Sequence, residues 1–372
     1  MKKPLLHISA VIALLVVLTG CTTLGPQADP SPTATVVHTP KPTPTPTPKP
    51  IQVPMVTNPW VPGEFQTGVQ IFWHPSYSSV EQQIRAANIL NYIVSLGGNS
   101  VAITFPICIN GRRPTQTVPC TDTPSPTDLG YIIAQAQARK LRVTVRPLID
   151  EANLMPATWR GAIAPPNVDA WFTSYDSLLL SYVPTLVQYQ VPEFVLGSEM
   201  ITMQRYTAEW QKLQQEVTAA GYTGTESYSM VWSSAAAVPF NSLGLDAYPN
   251  LNLPDSASQA QVTAGLAQWY SQYQPVANRL AIEEVGIAEQ SGAYHDSVGW
   301  GTGPATPGLE VQATWFASTC AVARSMQLQG IYFWMIDANA QPYIANPNTE
   351  SAGTWIGRPG TIAAIKQCFG TP

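Results

Sequence analysis

The chain has 372 residues, 45% of them hydrophobic and only 11% charged, against roughly 25% charged in an average soluble domain. Residues 1–50 carry a net +3 and the remaining 322 a net −8; without a basic run, that acidic remainder repels phosphate backbones and disfavours nucleic acid as a partner. So little charge, with 11 Trp and 15 Tyr, suits a neutral ligand carrying many hydroxyls.

Along the chain, residues 1–21 read as an export signal. Lys2 and Lys3 precede an apolar run from Ile8 to Leu18, about the length of a signal-peptide core and too short to span a bilayer. The run ends in Leu18-Thr19-Gly20-Cys21, which resembles the bacterial lipobox; that resemblance implies lipidation of Cys21, a membrane anchor, and an exported lipoprotein at the cell surface, outer membrane or periplasm. Residues 22–58 contain TPKPTPTPTPKP and few large apolar side chains. Such a segment buries too little surface to offset its ordering entropy and is expected to form an extended, disordered tether, reaching on the order of 100 Å at about 3.1 Å per residue. The head, residues 59–372, is expected to be a single catalytic domain.

From residue 66 on, eight short apolar runs alternate with helical patterns: Thr67–His74, Ser100–Ile109, Arg142–Asp150, Glu193–Met200, Glu226–Ser233, Leu243–Pro249, Arg279–Ile287 and Gly330–Asp337. The helical patterns include Val80–Leu96, Leu129–Lys140, Asp169–Tyr189 and Thr207–Ala220. This alternation predicts βαβ units, and near-continuous hydrophobic strands such as SVAITFPI suggest a sheet covered on both faces. Eight repeats predict a (β/α)8 TIM barrel, since no GxGxxG follows the first strand to support a doubly wound sheet. Four cysteines remain in the head, and proximity favours Cys108 with Cys120 and Cys320 with Cys368 among the three possible pairings. No metal or cofactor is expected: no CxxC is present, and His74 and His295 are the head's only histidines.

A barrel places its site at the C-terminal ends of the strands. There the sequence puts Trp73 and His74, Phe105, Arg146 and Asp150, Glu199, Trp232, Asp246 and Tyr248, Glu283 and Glu284, and Trp334 and Asp337. Glu199 and Glu284, on the fourth and seventh runs, are the catalytic candidates. Two carboxylates across a sugar subsite cleave a glycosidic bond when one stays protonated and the other ionised. Strand alternation points Glu283 away from Glu284, toward the helices or a loop. Trp73, Trp159, Trp232, Trp300 and Trp334 are candidate stacking surfaces for sugar rings; Trp171, Trp210, Trp269 and Trp315 sit at helix positions and are read as core.

An acid on strand four and a nucleophile on strand seven is the arrangement of the large retaining clan of (β/α)8 glycoside hydrolases. Within it the chain resembles glycoside hydrolase family 113, through SPTDLGYIIAQAQARKLRVTVRPLID, WRGAIAPPNVDAWFTSYDSLLLSYVPTLVQYQVPEFVLGSEM, LGLDAYPNL, IEEVG and GIYFWMID. The resemblance implies an endo-β-1,4-mannanase with Glu199 as acid/base and Glu284 as nucleophile. It further implies that Tyr248 bonds the nucleophile, that Trp334 floors the cleavage subsite, and that Asp150 and Arg160 bind hydroxyls or order a loop. Arg146 and Leu148 replace the lysine and histidine of the family's KPHID, Ser198 replaces the clan's asparagine, and EEVG stands for TEIG; these changes alter sugar contacts and spare both carboxylates. The alternatives are a clan member acting on another β-glycan and a non-catalytic carbohydrate-binding lipoprotein. A polysaccharide or oligosaccharide is the expected partner, and the head is expected to be a monomer.

Overall fold

The computed structural model describes residues 53–75, 78–150, 154, 157–231, 238–299, 301 and 303–370. The signal, Cys21 and most of the tether lie outside the described residues, as do Trp232 and Trp300. No described helix is long and apolar enough to cross a membrane.

Eight parallel strands close a barrel: β1 (Gln66–Phe72), β2 (Ser100–Ile109), β4 (Arg142–Ile149), β5 (Glu193–Ser198), β6 (Thr225–Val231), β7 (Ser242–Asp246), β8 (Leu280–Val285) and β9 (Gly330–Asp337). Closure is made by β1, whose Val69 pairs with Val101 of β2 on one side and Phe333 of β9 on the other. The short β3 (Thr117–Pro119) runs antiparallel to β2 and stands outside the ring, so β5 and β8 are the barrel's fourth and seventh staves. All eight expected strands are present; β3, at three residues, is too short to leave a periodic signature.

Helices α1 (Ser79–Ser95), α2 (Pro126–Ala138), α3 (Val168–Leu180), α4 (Val183–Gln188), α5 (Thr207–Ala219), α6 (Gln259–Tyr270), α7 (Val311–Ser325) and α8 (Pro359–Cys368) occupy the crossovers. Local chemistry sets their ends. The Ser78 hydroxyl accepts from the Glu81 N–H to start α1, and α2 begins earlier than periodicity suggests because Ser125 caps it and Pro126 sits in its first turn. The expected single helix Asp169–Tyr189 is divided into α3 and α4. Pro184 opens α4; lacking an N–H and clashing with the carbonyl four residues back, it cannot continue α3.

Strand alternation sorts the side chains. Val69 and Ile71, Val101, Ile103 and Phe105, and Val143 and Val145 join the apolar cluster between strands and helices, each worth about 1.5–3 kcal/mol when fully buried. Trp171, Trp210 and Trp315 belong to the same layer, and Trp269 packs against it with an edge on Tyr270. The opposite faces of these strands carry Gln70, Ser100, Thr104, Arg142, Thr144 and Arg146, all buried. The sheet is thus covered on both faces, as expected, and the face turned into the barrel is polar and hydrogen-bonded.

Disulfides join Cys108 to Cys120 and Cys320 to Cys368. On the chain-entropy account these cross-links are worth about 3 and about 4 kcal/mol. The first pins the β2–β3 hairpin beside the C-terminal rim; the second fastens α8 to α7. Packing begins before residue 59, since Val56 is buried and its N–H donates to the Arg139 carbonyl at 2.9 Å.

Candidate active site

At the C-terminal end of the barrel, one arginine organises two acids. Arg146 is fully buried; its Nη2 donates to Asp246 Oδ2 at 2.6 Å, its Nη1 to Glu284 Oε1, and its Nε to Ser198 Oγ at 3.1 Å. Tyr248 donates its hydroxyl to the other Glu284 oxygen at 2.9 Å, and Ser229 donates to Asp246 Oδ1 at 2.7 Å. Both oxygens of Glu284 are thus held by donors from two different strand ends, which fixes the carboxyl plane. Asp246 is pushed well above the ordinary carboxylate range, by burial first and by Glu284 and Glu199 nearby, against the pull of Arg146.

Glu199 follows the last residue of β5 in a left-handed conformation, φ +55°, a region that costs a non-glycine residue of order 1–3 kcal/mol and persists where surroundings over-determine it. Here they do. The Glu199 N–H donates to the Ser229 carbonyl at 2.9 Å, and its own carbonyl accepts from Ile201 N–H at 2.9 Å. Arg160 donates from Nη1 to the Glu199 carboxyl and from Nε to the Ile149 carbonyl at 2.8 Å, so it ties the end of β4 to the acid. Burial raises the Glu199 pKa, Arg160 opposes this, and the charge of Glu284 adds to the rise. A carboxyl inclined to hold its proton therefore faces the Arg146-bound Glu284.

Register shifts at three strands explain how these groups come to face one another. Val195 and Gly197 of β5 pair with consecutive residues of β6, Ile282 and Glu284 of β8 with consecutive residues of β7, and Phe333 and Ile336 of β9 with residues two apart on β1. Each marks an extra residue, a β-bulge, which re-aims the side chains that follow. Leu196 joins the apolar layer and a Cβ on Gly197 would meet Tyr228 and Trp210 in it, so Ser198 is the next residue to turn inward, onto Arg146.

The bulge in β8 corrects the expected orientation of Glu283. It does not face the helices: its Cγ comes within 2.3 Å of where a Gly244 Cβ would be, and Gln70 donates from Nε2 to its backbone carbonyl at 2.8 Å and, more weakly, to its carboxyl at 3.4 Å. Glu283 is inside the barrel beneath Glu284, and burial, reinforced by Glu193, pushes its pKa up to about 8.

The other expected residues divide. His74 is half-buried and bonds Asp337 Oδ2 at 2.8 Å, with Asp122 at 3.7 Å; the hydrogen bond to Asp337 raises its pKa. Asp150 lies on the same side of the rim, beside the Cys108–Cys120 bridge. Those three residues form the one described cluster with metal-ligand spacing, but its sulfurs are bonded to each other. Trp159 is half-buried and lies over Gly161; Trp334 is half-exposed on β9, and its peptide bond to Met335 is cis. Trp73 is a correction: at 1% exposure it belongs to the apolar core and has no face open to a sugar. Sequence reasoning missed Ser229 and Asp122. Ser229 alternates inward from Ser227 on β6, a legible signal; Asp122 lies in the turn after β3 and carries none.

Comparison with known proteins yields a family-model match, Glycoside Hydrolase Family 113, over residues 81–352. No curated protein sequence is similar enough to count as a match. Among solved structures, the chain is similar to a GH113 β-1,4-mannanase at 18% identity and a TM-score of 0.70, covering 83% of this chain and 100% of that one. The GH113 β-mannanase AaManA from Alicyclobacillus acidocaldarius, in complex with ManMIm, gives 18% identity and a TM-score of 0.66, covering 82% and 97%. A GH5_18 protein from Streptomyces cattleya, in complex with Manβ1-4GlcNAc, aligns at 10% identity and a TM-score of 0.52, covering 82% and 80%.

Proposed function

The chain belongs to glycoside hydrolase family 113 and is a glycosidase, and from that premise we propose that it cleaves β-1,4-linked mannan, with retention, by double displacement. The observation carrying the mechanism is the unequal environment of two carboxyls at one end of the barrel. Glu284 is clamped at both oxygens by Arg146 and Tyr248, whereas burial favours the protonated form of Glu199.

In the first half-reaction Glu284 attacks the anomeric carbon while Glu199 gives its proton to the departing glycosidic oxygen. In the second, Glu199 takes a proton from water as that water displaces Glu284 from the sugar. Arg146 and Tyr248 position the nucleophile, and Arg160 positions the acid. Trp334 floors the sugar subsite at the end of β9, and the low charge of the chain suits a neutral glycan. Cys21 anchors the exported protein by lipid, with residues 22–52 as the tether.

The test is incubation with mannans, β-glucans and xylans, with sizing of products and proton NMR of the first-formed anomer. Mannan cleaved to internal fragments that appear first as the β-anomer supports the reading. First appearance of the α-anomer overturns retention, since an inverting pair needs carboxyls about 6.5–9.5 Å apart where a retaining pair needs about 5–5.5 Å. Cleavage of glucan or xylan alone moves the activity to another β-glycan, and binding without cleavage favours a carbohydrate-capture role.

A further inference from the structure

The carboxyl pair is not all that this end of the barrel carries. A cavity of about 830 Å3 begins at Trp334 and Asp337, on the stave next to that of Glu284, and runs beneath the residues that follow β9. Its volume is typical of a built ligand site, about 300–1,000 Å3. The wall comes from residues 338–358, 21 residues between β9 and α8. Connections longer than about 12–15 residues without secondary structure are uncommon and usually functional.

This wall is held in place. Asn339 N–H donates to Asp337 Oδ1 at 2.8 Å and the Asn339 carbonyl accepts from Arg85 at 3.2 Å. Arg358 clamps the carbonyls of Ser351 and Thr354, while Ala352 bonds Gly303 and Glu289 through its N–H and carbonyl. Its lining offers amides and hydroxyls, among them Asn339, Gln341, Ser351 and Thr354, with Glu350 and Asp337 as carboxylates and no cation among the described residues. Such a lining recognises a neutral, hydroxyl-rich ligand.

Beyond the cavity the same loop continues to the outside. Ala340, Gln341 and Ile344 also line a second depression of about 260 Å3 against α1. Tyr343 stands there with its edge against Tyr92, ring centroids 5.4 Å apart at 86°, yet 59% exposed; Ile344 is 75% exposed. A buried aromatic anchors the exposed one, leaving a fixed apolar surface in the line of the groove. Sugar rings present C–H faces to such surfaces.

We propose that residues 338–358 and the adjoining end of α1 form a run of sugar-binding subsites, taking a neutral β-glycan chain from Trp334 through the cavity to a terminal stacking platform at Tyr343 and Ile344. This rests on the reading of the protein as a β-glycan hydrolase and adds the direction in which the unreacted part of the chain lies. Binding energy from these remote units is realised at the reacting bond, so longer chains gain turnover as well as affinity.

The experiment compares the protein with its Tyr343→Ala and Gln341→Ala variants in two measurements. The first is the ratio of kcat/KM on long manno-oligosaccharides to that on the shortest one cleaved, expected to fall roughly three- to tenfold in either variant, as for loss of one aromatic or hydrogen-bond contact. A ratio unchanged from the parent overturns the proposal. The second is retardation in gels containing galactomannan, β-glucan or xylan, which needs no turnover. If nothing is hydrolysed but the parent is retarded and Tyr343→Ala is not, the catalytic reading fails and the subsites stand; equal retardation of all three proteins overturns the subsites alone. Sedimentation of Ile344→Asp covers the other occupant of an apolar face: a dimer in the parent and a monomer in the variant would assign the platform to a second copy and overturn its role in sugar binding.

Discussion

Arg142 and Arg146 lie one full double alternation apart on β4, both point into the barrel, and they keep different company. Arg142 meets one acid: Nη2 donates to Glu193 at 2.7 Å, Nη1 to Thr144 at 2.8 Å and to the Tyr332 hydroxyl at 3.3 Å, and the Trp60 ring covers the guanidinium at 4.9 Å from its centroid. The pair is matched in charge, surrounded by hydroxyls and closed from below. Arg146 instead serves both Asp246 and Glu284, with Glu283 beneath it and the Arg160–Glu199 pair beyond. Acid is in surplus there, and burial converts that surplus into raised carboxyl pKa values at Asp246, Glu199 and Glu283. A balanced buried pair is satisfied within itself; an unbalanced one leaves carboxyls inclined to hold their protons.

The strongest way to break this contrast is at the upper cluster. Glu284→Gln is expected to lower turnover on every glycoside by at least roughly 10^4-fold, the upper range for a single positioned catalytic group. Glu199→Gln should cost about 10^2–10^4-fold on glycan but far less on an aryl glycoside, whose phenolate leaves without a proton. Equal losses on both substrates would remove Glu199 from the acid role.

Next come the arginines themselves. Arg142→Met and Arg146→Met each strand a buried carboxylate, at about 3–5 kcal/mol of stability by urea unfolding. Turnover of the folded fraction should survive in Arg142→Met and collapse in Arg146→Met. Adding Glu193→Leu to Arg142→Met should recover most of the stability, since apolar replacement of a whole buried pair is often neutral. Loss of turnover in that folded double variant would show that the lower cluster also serves the chemistry.

Glu283, between the two clusters, offers a pH test. Its proton is bound more tightly in the folded chain, up to about 8 against an ordinary 4.5. Its contribution to stability is therefore complete below about pH 4.5 and lost as pH rises through about 8. Glu283→Gln lacks this loss. Between pH 5 and pH 8 the variant should gain on the parent by on the order of a few kcal/mol in urea unfolding; a difference that stays constant would mean that Glu283 is ionised in the barrel. The smallest expected effect is at Arg160. Its charge favours ionised Glu199, so Arg160→Gln should move the alkaline limb of the kcat/KM profile to higher pH. A limb moving to lower pH would show that Arg160 does not face the titrating acid.

Much of this was legible in one dimension. Periodicity and β-branched runs located all eight barrel strands, because alternation is a local property of extended chain. The strand-end rule then selected Arg146, Glu199, Asp246, Tyr248 and Glu284 without knowledge of any contact. Errors arose where local period and spatial position part company. Trp73 follows the last residue of β1, where a rim aromatic is as reasonable as a core one; only packing against neighbouring elements put it in the core. The break between α3 and α4 was visible at Pro184, a positional signal outweighed by the apolar run around it.

What the sequence determined by itself was the order of strands and helices, the polarity of the chain, and which acids stand at strand ends, since each depends on neighbours along the backbone. The tertiary structure decided which way those acids turn. Bulges in β5, β8 and β9 insert one residue each against the adjoining staves. They send Glu283 into the barrel, Ser198 onto Arg146, and Glu284 between Arg146 and Tyr248. A bulge is a mismatch between two strands, and neither strand's sequence contains the register of the other.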